Sequence, residues 1–256
     1  MSFEPDLTAC AALVEKGDPD RFAATMASPV AARRVLFPLY AFNIEVSRAP
    51  WVTQEPMIAE MRLQWWRDAL EEIATGDTVR RHEVVTPLAA ILDADGARVL
   101  DRLVAARRWD IYKEAFEGAA HFESYLNDTA AGLMWVATRA LGGTDAHFET
   151  PVRKLGRATG LARFLQAVPA LEAQGRIPLV DGRAQAIGVL AEVTRGACPS
   201  VREIKTLLPA GARPACSEAF LTQDLLDLVV KRPQRVAESA ITLNPLKRSY
   251  LLWKWS

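Results

Sequence analysis

Between Glu55-Pro56 and Gly76 the chain carries Glu60, Gln64, Arg67, Asp68 and Glu71 at i, i+4, i+7, i+8 and i+11. On a helix that spacing gathers all five on one side. Three chemistries fit such a stripe. Its acids, joined by Glu45 from a preceding helix, supply the oxygen ligands that a hard divalent cation prefers. The same side chains fit a cavity wall that positions a polar ligand without metal. They also fit a solvated face laced by i,i+4 pairs such as Arg67–Glu71. Arg33-Arg34, at a helix start, suits either a phosphate or nearby acids. Adjacent Trp65 and Trp66 point about 100° apart on a helix, so only one faces a cavity squarely. Core packing accounts for both, and a lipid tail against one of them is the functional alternative.

Other reactive side chains are scattered. Cys10, Cys198 and Cys216 form no CxxC pair and no zinc spacing, as expected of reduced thiols. His82, His121 and His147 fit no HExxH or other ligand pattern. GxxxxGK(S/T), GxGxxG after a strand and GxSxG are all absent.

The elements that must position these residues read as helices. Apolar periodicity is helical and strand-like alternation is scarce. Asp18-Pro19 predicts an N-cap and first helical residue for a helix through Met26, and Ser28-Pro29 the same for one reaching about Arg48. Ala49-Pro50 ends it. Further helices are expected from Met57 to about Thr75, Ala97 to Glu117, His121 to Leu141 and Pro151 to Val168, with Pro169 interrupting the last. Gly175-Arg176-Ile177-Pro178 is a loop, and Gly142-Gly143 a helix stop. Gly182 to Val193, Ser200 to Leu208, Pro214 to Val230 and Pro245 to Trp255 complete an all-α chain of roughly ten helices in one domain spanning residues 1–256.

Half of the 256 residues are apolar, and 31 basic side chains balance 31 acidic ones. That neutrality argues against a nucleic-acid binder. Met1 to Asp6 lack the look of a secretory or transit signal, and Leu133 to Leu141, broken by Arg139, is too short to span a bilayer. A cytoplasmic protein is expected. The segment Leu246 to Trp255 mixes cations, aromatics and leucines, which suits an interfacial helix or a docked terminal one.

Three blocks of sequence carry a resemblance. The first is Arg33 to Phe42, followed by Glu55-Pro56 and the run Arg62-Leu63-Gln64-Trp65-Trp66-Arg67-Asp68-Ala69-Leu70. The second is Tyr125 to Gly132, and the third is Leu155 to Arg163, leading to Gly175-Arg176-Ile177-Pro178-Leu179. In order and spacing they resemble the squalene/phytoene synthase family over most of the chain. The Leu-Gln-Trp-Trp-Arg-Asp run is most similar to the divergent branch containing mitochondrial complex I assembly factor 6 and its bacterial relatives.

The resemblance implies an all-α isoprenoid-synthase fold around a central cavity. It also implies two facing aspartate motifs whose magnesium ions hold a prenyl diphosphate. By the same resemblance the three first-motif aspartates fall here at Ser47, Arg48 and Trp51, after Asn43 and Ile44. The second motif's asparagine and arginine fall at Arg163 and Gln166, and its acids at Ala167, Ala170 and Leu171. No carboxylate stands at any of these positions. Oxygen anions are what magnesium binds, so the metal is not expected here and belongs only to an enzymatic reading.

Tyr40, Glu60, Gln64, Arg67, Arg163 and Gln166 are the candidate ligand-binding residues of the cavity, with no catalytic or metal-ligating residue assigned. The leading expectation is a protein without catalytic activity that aids respiratory complex I assembly. Its partners would be complex I subunits or other assembly proteins, with peripheral contact at the inner membrane. The alternatives are a head-to-head prenyl transferase acting on prenyl diphosphates, and a binder of an isoprenoid or lipid ligand.

Overall fold

The computed structural model describes residues 4–53 and 55–255, so Met1 to Phe3 of the N-terminal reading lie outside the described residues. Thirteen α-helices and no strand are found among the described residues.

The first helix, α1 (Glu4–Gly17), was not expected; Cys10 and Val14 bury its inner face against the long third helix. Asp18 then caps α2 (Pro19–Met26), accepting a hydrogen bond from the Arg21 amide at 3.0 Å. The helix α3 (Val30–Arg48) starts one residue later than Ser28 would place it. The Ser28 hydroxyl donates back to the Ala24 carbonyl instead, at 2.9 Å. Pro50 ends α3 through a tight turn, Ala49–Trp51. Pro56 opens α4 (Pro56–Thr75), and Gly76 closes it with a φ of 76°, a conformation glycine adopts freely. A short helix, α5 (Val85–Ala89), was also not foreseen.

Two expected boundaries change. Ala97 to Glu117 is not one helix: α6 (Ala94–Ala106) gives way to a tight turn at Arg107–Asp110. The Asp110 and Tyr112 carbonyls accept from the Arg176 guanidinium, which takes the place of bonds that a continuing helix would make. Likewise Pro214 to Val230 divides into a tight segment, Arg213–Ala219, and a later helix.

The segment expected from His121 to Leu141 is α7 (Ala119–Leu126), a π-turn at Asn127–Ala131, and α8 (Gly132–Ala140). Residues Gly132 to Thr138 are all buried. Of these, Met134 and Trp135 face one hydrophobic core, while Leu133, Val136 and Ala137 face the other. The apolar run around Leu133 is therefore a central core helix, buried on all sides.

The helix α9 (Glu149–Ala173) runs through Pro169, so this proline does not break it. Proline inside a helix costs about 3 kcal/mol. Burial of Leu161, Leu165 and Val168 on one side of that stretch outweighs the loss. After the Gly175 loop come α10 (Ala184–Ala197), α11 (Val201–Leu207), α12 (Thr222–Lys231) and α13 (Pro245–Trp255). A reciprocal Ser200–Glu203 cap starts α11.

Candidate functional site

The C-terminal end of α3 faces the C-terminal half of α9 across a cleft of about 370 Å³. Its lining includes Ser47, Arg48 and Trp51 on one side and Ala167, Ala170 and Leu171 on the other. These are all six positions that the resemblance assigns to acids. A second hollow of about 190 Å³ continues inward past Arg107, Tyr125, Phe164 and Ala167, which line both. Arg21, Asn43, Thr129, Gly160 and Arg163 form its inner end.

The lining is cationic and aromatic. Asp110 is the one carboxylate among these lining residues, and it is already engaged. It is buried, accepts from the Tyr125 hydroxyl at 3.1 Å and pairs with Arg107 at 3.1 Å. Trp109 stacks on Phe116 with ring centres 3.9 Å apart, and Phe116, Phe122, Tyr125 and Phe164 pack edgewise around them. At the mouth, the Arg176 guanidinium lies 4.5 Å from the centre of the Trp51 ring and 5.6 Å from that of Trp109. Thus the indole of Trp51, where the resemblance places an acid, is clamped by the loop that follows α9. Magnesium wants several free oxygen ligands, and this lining does not fit it. No group of three His, Cys, Asp or Glu residues poised to hold a metal occurs among the described residues.

Behind the inner hollow lies a charged cluster that sequence reading missed. The Arg21 guanidinium donates to Glu218 at 2.5 Å and to Asp18 at 3.1 Å. Arg163 pairs with Asp18 and approaches Glu218 at 3.8 Å. Glu218 is 3% exposed, so its charge exists there only because two arginines neutralise it. The Tyr40 phenol is buried beside them without a hydrogen-bond partner, and Arg21 lies 5.2 Å from its ring centre. Burial, and then the Glu218 charge, pushes that phenol well above its usual range. A signal was present: Glu218 stands as a lone acid in the mostly apolar stretch Pro214 to Leu221.

Burial alone would raise the Asp18 carboxyl, but Arg163 and Arg21 outweigh it and hold it down to about 2. A depressed acid contributes its full stability above its unfolded value near 4 and loses it as pH falls through about 2. A drop of this size corresponds to roughly 2 kcal/mol. The stability gap between the wild type and Asp18→Asn should therefore be constant above about pH 4 and narrow from there toward pH 2. Urea unfolding at a series of pH values measures it, and a gap that widens in acid would contradict the pairing.

The six sequence candidates separate. Arg163 lines the inner hollow, and Tyr40 sits behind it. Gln166 does not reach the cleft; its amide donates to the Ile241 carbonyl at 2.8 Å and ties α9 to the C-terminal segment. Glu60, Gln64 and Arg67 are also corrected as cavity residues. Arg67 grips Asp101 of α6 with bonds of 2.7 and 3.0 Å, and Gln64 bonds Asp68 at 2.7 Å. Both line a groove between α4 and α6, away from the central cleft. Glu60 pairs with Arg108 at 2.9 Å. The stripe is mainly an interhelical ion-pair face, and Arg67 pairs with Asp101 rather than Glu71. A half-buried pair that solvent still reaches is worth about 1 kcal/mol or less. Arg67→Ala should lower stability by no more than that in chemical denaturation.

The remaining candidates resolve as packing. Trp66 is buried against Phe42, while Trp65 is half-buried beneath Arg80, whose guanidinium lies 4.9 Å from its ring centre. His82 packs on both tryptophans, and its Nδ1 accepts from the Val84 amide. Arg33 donates to the Met26 and Ser28 carbonyls, which occupies it locally. The three cysteines are buried thiols, and burial pushes Cys10 and Cys216 up to about 12 and Cys198 up to about 11.

The sequence profile described as squalene/phytoene synthase matches residues 14–189. The chain belongs to the squalene/phytoene synthase family. Within that family its fold is similar to that of a dehydrosqualene synthase solved with ligand, at a TM-score of 0.80 and 17% identity, covering 99% of this chain and 96% of that one. A squalene synthase of Alicyclobacillus acidocaldarius gives 0.59 at 16% identity, covering 99% and 92%. Among curated sequences, a Drosophila melanogaster homolog of NADH dehydrogenase (ubiquinone) complex I assembly factor 6 is 34% identical over 167 residues. That match covers 62% of this chain and 50% of the relative. The Homo sapiens assembly factor 6 is 25% identical over 161 residues, covering 62% and 48%. The chain spans about half the length of these relatives. This member of the squalene/phytoene synthase family therefore combines the synthase fold with a cleft that lacks acids at all six motif positions.

Proposed function

We propose that this protein is a squalene/phytoene synthase family member without prenyl-transfer activity that assists the assembly of respiratory complex I. The observation that carries the first half is the cleft lining, where Ser47, Arg48 and Trp51 face Ala167, Ala170 and Leu171. Prenyl-diphosphate ionisation needs magnesium to take up the leaving group's charge, and an arginine with an indole repels or ignores that ion. Sequence likeness to assembly factor 6 proteins supports the second half. On this reading the surface does the work, through contacts with complex I subunits or other assembly proteins, and no cofactor is required.

The reading places the protein in the cytoplasm, at the inner face of the membrane. No helix of the described residues is long and apolar enough to cross a bilayer. Peripheral contact is supported by α13. Leu251 and Trp255 dock that helix on the core, while Leu246, Tyr250 and Trp253 leave an exposed stripe at i, i+4 and i+7.

Incubation with farnesyl diphosphate and magnesium should yield no squalene, dehydrosqualene or released diphosphate above the protein-free background. Deleting the gene should lower assembled complex I, read on a native gel, and leave carotenoid and hopanoid levels unchanged. Turnover at an ordinary enzymatic rate, or a deletion that depletes a terpenoid and spares complex I, would overturn the reading.

A further inference from the structure

A second concavity lies on the far side of the α7–α9 contact. It encloses about 480 Å³, within the roughly 300–1,000 Å³ range of small-ligand pockets. Three helices and a strap wall it: Phe122 and Leu126 from α7, Leu161 from α9, Leu190 and Val193 from α10, and the segment 179–181. Leu126 lines this groove and the inner hollow of the central cleft alike, so the two spaces are neighbours at that residue.

The polar groups are few and lopsided. Lys154 and Arg157, one turn apart on α9, both face the groove. Neither makes a salt bridge or side-chain hydrogen bond with any described residue. Opposite them, Asp181 is already held by Arg183, and Glu123 stands on the α7 wall. Lys154 and Ala197 also line an adjoining, more polar hollow of about 370 Å³, between α9, α10 and α11. An apolar trough thus opens at one end beside two unpaired cations.

We propose that this groove binds the hydrocarbon chain of a long-chain carboxylate, with the carboxylate held by Lys154 and Arg157. Charge complementarity selects the head group. A guanidinium and an ammonium one turn apart supply a planar fork and a point charge for one anion. The walls select the tail. A partner helix is about 10–12 Å across and needs an open trough. Here the segment 179–181 joins the three helices in lining a space of about 480 Å³, which is of small-ligand size and suits a single flexible chain. The site is independent of the synthase-type cleft and of the assembly role.

The test uses the full chain and cis-parinarate, a fluorescent long-chain carboxylate. Saturable binding is expected, displaced by oleate and not by oleyl alcohol. The double change Lys154→Glu with Arg157→Glu should raise Kd tenfold or more with unchanged thermal unfolding, because Lys154 is exposed and Arg157 only half-buried. Ala186→Trp, which fills the groove from a half-buried position, should abolish binding. Ala167→Trp, which fills the central cleft from an exposed position, should leave binding intact. Absence of saturable binding, equal displacement by oleyl alcohol, indifference to the charge reversal, or loss of binding in Ala167→Trp would each overturn the proposal.

Discussion

Glu218→Ala is expected to destabilise the protein by about 3–5 kcal/mol, the usual loss when one partner of a buried ion pair is removed. For a chain of this size each kcal/mol lowers Tm by about 2–4 °C, so a fall on the order of 10 °C should be seen by calorimetry. The cause is specific. Arg21 is 7% exposed and would keep only Asp18 as a counter-ion, while Arg163 would lose its second acid. Asp18 is shared between both arginines and cannot neutralise both. The diagnostic measurement is a double-mutant cycle. Glu218→Leu combined with Arg21→Met should recover much of the loss, because an apolar pair removes both charges together. Strict additivity of the two single changes would show that the cluster does not act as a unit.

Gly156→Ala should also be costly, against the trend of helix propensity. In an open helix interior, glycine to alanine gains about 1 kcal/mol. At Gly156 the new Cβ would lie 2.6 Å from the Ala131 Cα, and the neighbouring Gly160 would place one 2.5 Å from the Ala130 Cβ. Backbone cannot step aside as a flexible side chain can, and overpacking of this kind costs about 1–3 kcal/mol or more. A net loss of roughly 2 kcal/mol is expected in urea unfolding. Gly196→Ala, inside α10 with nothing within 4 Å of its Cβ, should instead be neutral or stabilising. If the two substitutions behaved alike, α9 would not be seated on the π-turn as described.

That seat also explains how the site is built. The π-turn at Asn127–Ala131 adds a residue to the helical ladder and brings Ala130 and Ala131 onto the small face of α9. Tight approach there aims Thr129 and Tyr125 into the cleft beside Arg163 and Phe164. The departure from the acidic lining that the resemblance implies leaves α9 helical through its three positions. It lies in side chains, with a hydroxyl, a cation, an indole and three aliphatic groups where the resemblance places acids.

Helix type, most helix starts and the family were legible from local chemistry. Asp18-Pro19, Glu55-Pro56, Gly76 and the Ser200–Glu203 pair act within one turn of themselves, so the sequence alone determined them. The loss of motif acids was equally local, because it is a matter of which residue stands at a counted position. The structure then showed that the six counted positions share one cleft. Three things only the tertiary structure decided. The polar stripe on α4 turned away from the cleft because Asp101, 34 residues from Arg67, offers a bidentate partner. Pro169 stayed helical because the burial of Leu161, Leu165 and Val168 in the turns before it outweighs a lost backbone bond. The Asp18–Arg21–Arg163–Glu218 cluster joins residues 145 and 197 apart, and such pairs leave no trace in local periodicity. Composition and spacing act through neighbours along the chain, whereas desolvation and long-range charge pairing exist only once distant segments have excluded the water between them.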